Sequence, residues 1–309
     1  TQTRKDFPDT QSEETNNALR QKFADMLYRE GGVTCGFNTT IHQQNLEEIP
    51  AMVRWAQENA DRVHSFHFIP YRDFGIAKEF EIFAHGVRID TEGGAGNPEY
   101  ITPGPVTVQD VADQIRKADP AFAPSAYLGG NVDPKSLKWT FASRFVLKGK
   151  TLGYAGPRFM ELTQQGKHLF TGTWYGLTTP SSQAAGRSVF FLLGLFDRGV
   201  MRSAWNYFKS VLRNPLNLFR RVRMQTLLLL QPTDILEDGQ MNMCDGCPDM
   251  TVHEGKLYWS CRLEEIKEHG TFLHAVPKNR SIPDCRKRFY PAWDKAPSNQ
   301  VAEEVVRST

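Results

Sequence analysis

The alternation of helical and extended patterns over residues 12–70 constrains the fold of this chain more than any other feature of its sequence. Residues 12–32 place apolar side chains at helical spacing and end in two glycines. Residues 33–41 are rich in β-branched side chains, residues 45–59 are again helical, and residues 63–70 are again extended. Helix, strand, helix, strand at this pitch predicts βαβ units in a parallel sheet, and hence an α/β fold.

The middle of the chain mixes irregular stretches with regular elements. Glycines and prolines predict a loop with fragments of structure over residues 74–105. Thr107 and Asp110 predict the N-terminal cap of an amphipathic helix. Residues 141–147 and 167–175 have the pattern expected of strands.

Residues 187–230 form a basic, aromatic segment in which Asp197 is the only acidic residue. The basic residues of this segment are Arg187, Arg198, Arg202, Lys209, Arg213, Arg220, Arg221 and Arg223. Two interpretations remain open. The segment is either a pair of amphipathic helices on a membrane surface, or a pair of core-packing helices whose arginines lie in solvent.

Composition and charge exclude several classes of protein. The chain has 309 residues and a net charge of +2, which argues against a general nucleic-acid binder. It contains no run of about 18 apolar residues, so we expect no transmembrane helix, and it shows no export signal. We therefore expect a cytoplasmic, reducing location in which cysteines are buried, reactive or metal-bound.

Four of the five cysteines lie in the C-terminal third of the chain and have the spacing of a metal centre. They are Cys244, Cys247, Cys261 and Cys285, separated in turn by two, thirteen and twenty-three residues. A CxxC turn lets two thiolates point at one ion, and Gly246 permits its tight backbone. Four thiolates suit an iron–sulfur cluster and also a structural Zn²⁺ site, and spacing alone does not separate the two.

Two regions of the sequence resemble the radical SAM superfamily. The run GGVTCGFNTTI (residues 31–41), the helix over residues 45–59 and the run VHSFHFIPYR (residues 63–72) are similar to the later βαβ units of a radical SAM barrel. The CDGC…SC arrangement is similar to the auxiliary cluster regions that follow the barrel in many of these enzymes. The resemblance covers roughly residues 10–75 and 240–265.

This resemblance implies an α/β fold: a partial (β/α) barrel of the radical SAM type, followed by an α+β C-terminal region with a cysteine-rich metal site. The expected domains are 1–105 for the later βα units, 106–235 for an α+β region with basic aromatic helices at 187–230, and 236–309 for the cysteine-ligated cluster region.

One family motif is missing from the sequence. Radical SAM enzymes hold their catalytic 4Fe–4S cluster with a CxxxCxxC motif, whereas the only early cysteine here is Cys35. The chain also begins with Thr1 and not with Met. Two explanations fit: a fragment, which is an enzyme if the missing motif lies upstream, or a degenerate relative that has lost the chemistry. The start of the chain favours the fragment.

The resemblance also implies cofactors, partners and binding residues. In the intact family the cluster reduces S-adenosyl-L-methionine, and the resulting 5′-deoxyadenosyl radical abstracts hydrogen from an unactivated carbon. Asn38 and Thr40, on one face of their strand, are the expected contacts to the ribose or methionine part of this cofactor. Arg72 lies past the end of the next strand, where barrel ligands collect, and is expected to pair with a ligand's carboxylate; a surface salt bridge is the alternative. An electron-donor protein and a small-molecule or lipid substrate are the implied partners.

A non-catalytic function is the alternative. In it the late cysteines bind Zn²⁺ as a structural module, and residues 187–230 dock a partner or a membrane surface. Stoichiometric iron with acid-labile sulfide favours the enzyme, whereas zinc in a colourless protein favours the alternative.

Overall fold

The structure, a computed structural model, describes residues 12–72, 79–89, 105–174, 180–247 and 249–278. The chain forms two compact units that interleave along the sequence. The first unit consists of Thr1–Tyr71, Glu99–Gly129 and Lys135–Gln231, and the second of Arg72–Pro98, Gly130–Pro134 and Pro232–Thr309. The first unit therefore joins parts of the first two expected domains, because strands from both pair in one sheet.

The described elements are as follows in chain order. The helices are α1 (Asn16–Glu30), α2 (Ile49–Glu58), α3 (Val108–Ala118), α4 (Pro157–Thr171), α5 (Pro180–Ala184), α6 (Gly186–Leu193), α7 (Arg198–Arg213) and α8 (Leu263–His269). The strands are β1 (Gly36–Ile41), β2 (Ser65–Pro70), β3 (Phe80–Ala84), β4 (Val87–Ile89), β5 (Ala126–Leu128), β6 (Trp139–Leu147), β7 (Lys150–Tyr154), β8 (Arg223–Leu230), β9 (Asp234–Ile235), β10 (Met241–Asn242), β11 (Met250–His253), β12 (Lys256–Trp259) and β13 (His274–Pro277).

The main sheet of the first unit has the strand order β1-β2-β8-β6-β5, with β7 also paired to β6. Strands β1, β2 and β8 are parallel, and β6 runs antiparallel to β8. The predicted order of helix, strand, helix and strand is confirmed by α1, β1, α2 and β2, and the predicted parallel pairing by β1 and β2. Among the described strands no pairing closes this sheet into a barrel, so the partial radical SAM barrel stays a prediction.

One face of the main sheet packs against helices. Phe37, Phe66, Leu227 and Ala142 occupy neighbouring strands in one row of the register and belong to a single apolar cluster. The same cluster contains the apolar stripes of α2 and α3, including Ile49, Met52, Val53, Val111 and Ile115. Burial of these stripes is what stabilises the helices against the sheet.

A second apolar cluster covers one end of the opposite face. Phe145 of β6 and Met224 of β8 are register partners there, and they pack with Phe159 of α4, Phe190 of α6 and Val200 of α7.

The predicted strand over residues 167–175 is wrong for residues 167–171, which lie in α4. Pro157 begins this helix after Gly156, and Gly172 ends it with φ +66°. Proline at a helix start and a left-handed glycine at its end are strong local signals. They outweigh the short extended pattern on which the prediction relied.

The prediction of helices throughout residues 187–230 is wrong at its C-terminal end. Helices α6 and α7 confirm the first part, and Pro215–Phe219 forms a 3₁₀ helix. Arg223–Leu230, however, is strand β8, which lies between β2 and β6. Short apolar runs do not distinguish a buried strand from a helix, and pairing on both sides selects the strand here.

The second unit contains three small antiparallel sheets and α8. Strands β13, β3 and β4 form one sheet, β9 pairs with β10, and β11 pairs with β12 as a hairpin. Its core comprises Ile82, Ala84, Leu273 and Ala275. The predicted loop over residues 74–105 lies largely outside the described residues, and its described part contains β3 and β4.

In the described parts of both units, no helix combines the length and the apolar character needed to cross a lipid bilayer.

Candidate functional site

The part of the main sheet opposite α2 and α3 carries polar side chains. Two adjacent rows of the register cross β1, β2, β8 and β6 in that order. The first row is Gly36, Ser65, Thr226 and Ser143, and the second is Asn38, His67, Leu228 and Phe141. Side chains alternate between the two faces of a strand, so these rows face away from the cluster that contains Phe66. We call this surface the polar face.

Asn38 and His67 form a hydrogen-bonded pair on the polar face. The Oδ1 atom of Asn38 lies 2.6 Å from Nδ1 of His67. Because an amide oxygen only accepts, Nδ1 carries the proton and Nε2 of the ring is left as an acceptor. Burial lowers the pKa of His67 to about 4, so the ring is neutral at pH 7.

Two buried polar atoms on this face lack partners within the described part of the chain. His67 Nε2 and Ser65 Oγ are both inaccessible to solvent and without a hydrogen bond there. His67 is 9% exposed and Ser65 is fully buried, whereas their neighbour Asn38 is exposed. A buried polar group without a hydrogen bond destabilises the folded chain by about 1–3 kcal/mol. A polar ligand on this face would satisfy both.

Gly36 leaves room for the Ser65 hydroxyl. A Cβ atom at this position would come within 2.5 Å of Ser65 Oγ. Any larger residue would therefore push the hydroxyl out of its position on the polar face.

Asn38 and Thr40 lie on the same face of β1, as expected from the two-residue period, with Asn38 exposed and Thr40 half-buried. His67 and Ser65 were not singled out as binding residues by the sequence. The signal was the alternation of Ser, His and Ile with Phe along β2. This alternation indicates a binding residue only when the register with β1 is known, because the register places His67 opposite Asn38.

Arg72 belongs to the second unit and pairs with a carboxylate of the protein itself. Its Nε donates to Asp234 Oδ1 at 2.8 Å, and both side chains are largely buried. Arg72 thus forms an ion pair within the protein, and its binding to a cofactor stays a prediction.

Cys244 and Cys247 lie on a tight turn of the second unit. Gly246 has φ +61°, the left-handed conformation that glycine adopts without strain. The two thiols form a hydrogen bond, and this bond lowers the pKa of Cys247 to about 7, against the opposing effect of burial. In its protonated form Cys247 Sγ also donates to the Asp249 carbonyl at 3.6 Å. A thiol with this pKa is substantially thiolate near neutral pH, which is the form that binds metals.

The β11–β12 hairpin brings Cys261 toward the end of the hairpin where Cys247 lies. Cys247 comes shortly before β11 and Cys261 shortly after β12. Ser260 closes this end of the hairpin, because its backbone N–H and its hydroxyl both donate to the Asp249 carbonyl, at 3.2 and 3.1 Å. The predicted short strand before Cys261 is confirmed by β12.

Arg262, the residue after Cys261, is a buried anchor of this segment. Its guanidinium binds both carboxylate oxygens of Glu265, at 2.8 and 2.6 Å, and donates to the Leu273 carbonyl at 2.8 Å. Its Nη1 lies 3.9 Å from the sulfur of Met243, which precedes Cys244. Arg262 therefore joins the Met243 side chain, before the cysteine turn, to the Leu273 backbone, after the hairpin, a role that cysteine spacing did not reveal.

The donor set fits half of a four-thiolate site. Cys244 and Cys247 are in contact, and the negative charge of Cys247 adds to the rise that burial causes in the pKa of Cys261. Cys261 is thus within electrostatic reach, with its Sγ 3.4 Å from Thr233 Oγ1. Among the described residues, no three His, Cys, Asp or Glu side chains come together as a metal-ion site. Cys285 lies outside the described residues.

Comparison of the sequence with models of protein families and with curated proteins finds no match to either. The case for a function therefore depends on the residues of the polar face and of the cysteine turn.

Proposed function

We propose that this chain is part of a radical SAM-type enzyme and that its polar face binds S-adenosyl-L-methionine. The observation that carries the proposal is the pair of buried, unpartnered polar atoms, Ser65 Oγ and His67 Nε2, on the face of a parallel βαβ unit that points away from α2 and α3. The resemblance of the same strands to the later units of a radical SAM barrel points to the same ligand.

The residues of the polar face suit the polar groups of this ligand. His67 Nε2 is an acceptor for a ribose hydroxyl, and the Ser65 hydroxyl both donates and accepts. The exposed amide of Asn38, held by His67, offers its NH₂ group as a donor to a carboxylate or ribose oxygen. Thr40 extends the same face of β1.

Bound S-adenosyl-L-methionine supplies a 5′-deoxyadenosyl radical when it is reduced by a 4Fe–4S cluster, and this radical modifies an unactivated carbon. The residues described here bind and orient the ligand. The CxxxCxxC motif for the catalytic cluster is not in this sequence, so the proposal assigns cofactor and substrate binding to this chain. A small-molecule or lipid substrate and an electron-donor protein complete the proposal.

We further propose that the late cysteines hold a 4Fe–4S cluster, with Cys244, Cys247, Cys261 and Cys285 as ligands. The lowered pKa of Cys247 and the hairpin that presents Cys261 support this assignment. One observation favours a structural Zn²⁺ site as the second candidate. A CxxC turn with a left-handed glycine, followed by a short hairpin, also suits tetrahedral zinc in a non-catalytic module that docks a partner.

Calorimetric titration of the full chain with S-adenosyl-L-methionine tests the polar face. Asn38→Ala should weaken binding about fivefold, because one hydrogen bond to the ligand and the support of His67 are lost. The control is Thr39→Val, the next residue of β1, which lies on the opposite face beside Arg20. Absence of binding to the wild-type chain, or equal affinities for the wild type and Asn38→Ala, would contradict the proposal.

A further inference from the structure

Helix α7 presents an apolar row to solvent. Val200 and Ser203 on its inner side are buried. Met201, Trp205, Phe208 and Leu212 follow one another at spacings of four, three and four residues, and they are 52%, 56%, 48% and 67% exposed. This spacing places all four on one side of the helix. These four side chains therefore lie outside the core of the unit and point toward solvent.

The elements on either side of α7 extend this row. Helix α6 and the 3₁₀ helix Pro215–Phe219 both pack against α7. Their exposed apolar side chains, together with those between α6 and α7, are Phe191, Leu192, Leu195, Phe196, Leu216, Leu218 and Phe219. We call these residues and the α7 row the apolar surface. Single exposed apolar residues are ordinary, whereas so many of them on neighbouring elements mark an interaction site.

The charges around the apolar surface are positive. Its exposed basic residues are Arg198, Arg202, Lys209, Arg213, Arg220 and Arg221. The one acidic residue between residues 182 and 223 is Asp197, which is buried and accepts hydrogen bonds from the backbone N–H groups of Gly156, Phe159 and Val200. No negative charge in this stretch therefore reaches solvent.

The basic and apolar side chains are interleaved on α7. Arg198, Arg202, Lys209 and Arg213 each lie within three residues of a member of the apolar row. The ammonium group of Lys209 lies 5.6 Å from the centre of the Trp205 ring. A partner must therefore accept apolar side chains and positive charge over the same area.

We infer that the apolar surface docks on the face of a lipid bilayer that contains anionic phospholipids. Aromatic and aliphatic side chains insert at the boundary between headgroups and acyl chains, while arginine and lysine remain with the phosphates. A second copy of the chain fits less well, because pairing this surface with itself would bring like charges together. The inference does not depend on the chemistry proposed for the polar face.

Vesicle co-sedimentation with the full chain tests this inference. The chain should bind vesicles of phosphatidylcholine and phosphatidylglycerol, bind pure phosphatidylcholine vesicles more weakly, and lose affinity as salt is added. Replacing Arg202, Lys209 and Arg213 together by Gln should weaken binding to the anionic vesicles about a hundredfold, since each basic side chain contributes about fivefold.

A second variant tests the apolar contribution, with a matched control. The double variant Leu195→Ser and Phe208→Ser should bind both kinds of vesicle several-fold more weakly. Both side chains are exposed, so circular dichroism should show an unchanged fold. The control, Val252→Ser with Leu257→Ser, removes side chains of 67% and 64% exposure elsewhere in the chain and should bind like the wild type.

Three results would overturn the inference. The wild-type chain could fail to bind anionic vesicles, or the Leu195 and Phe208 double variant could bind them as tightly as the wild type. The third result involves self-association, measured by light scattering. The wild-type chain would self-associate, and the same double variant would lose self-association but bind vesicles as the wild type does. The apolar surface would then be an interface between copies. In each case the titration with S-adenosyl-L-methionine is a separate readout of the proposed function.

Discussion

The buried polar atoms of β2 are the residue-scale feature on which the proposed function depends. Ser65 and His67 lie two positions apart on the same strand, so Ser65 Oγ and His67 Nε2, which have no partner in the described part of the chain, lie on the same face of the sheet. Each such group destabilises the folded chain by about 1–3 kcal/mol. A chain that retains two of them side by side, next to an exposed Asn38, is better explained by a ligand than by packing.

The burial of His67 predicts a pH dependence of stability. Its pKa is about 4 in the folded chain against an ordinary value of 6.5. Below about pH 6.5 the unfolded chain binds a proton here that the folded chain does not, so the free energy of unfolding falls between about pH 6.5 and about pH 4. At pH 5 this residue accounts for a loss of about 2 kcal/mol.

Urea unfolding at about pH 7 and about pH 5 measures this loss. His67→Gln should reduce the difference between the two pH values by about 2 kcal/mol, because the titrating group is removed. His168→Gln, at an exposed histidine of the same unit, is the control and should leave the difference unchanged. An unchanged difference in His67→Gln would show that the ring titrates normally in the folded chain.

At the scale of elements, local signals predicted some boundaries and missed others. The predicted start of α3 is confirmed, because Thr107 accepts from the backbone N–H of Asp110 and the Asp110 carboxylate accepts from the backbone N–H of Thr107. This capping box is complete within four residues. Strand β8, in contrast, was predicted as helix. Its apolar run forms a strand because it pairs with β2 and β6, which are distant in sequence, so no local signal could indicate it.

The capping box of α3 predicts a measurable contribution to stability. Thr107→Ala should lower the free energy of unfolding of the first unit by about 1 kcal/mol, since the orphan N–H at the helix start loses its partner. Thr107→Ser keeps the hydroxyl and should change the free energy of unfolding by a few tenths of a kcal/mol or less. Equal losses in the two variants, measured by urea unfolding, would show that the hydroxyl is not what caps the helix.

At the scale of the whole molecule, the two candidate sites differ in how far sequence could predict them. The cysteine turn depends on residues close in sequence, and CDGC alone indicated it. The polar face depends on the register of β1, β2, β8 and β6, and β8 lies more than 150 residues after β2. Asn38 was identified through a family resemblance, whereas His67 required the pairing itself. Arg262 likewise links segments that spacing does not connect.

Metal analysis is the most direct test of our proposal that the chain is part of an iron–sulfur enzyme of the radical SAM type. The chain is purified without oxygen, and iron, acid-labile sulfide and zinc are quantified beside the visible spectrum. We predict about four irons and four sulfides per chain, lost in the double variant Cys244→Ala and Cys247→Ala. About one zinc per chain without sulfide would contradict the account and make the late cysteines a structural module.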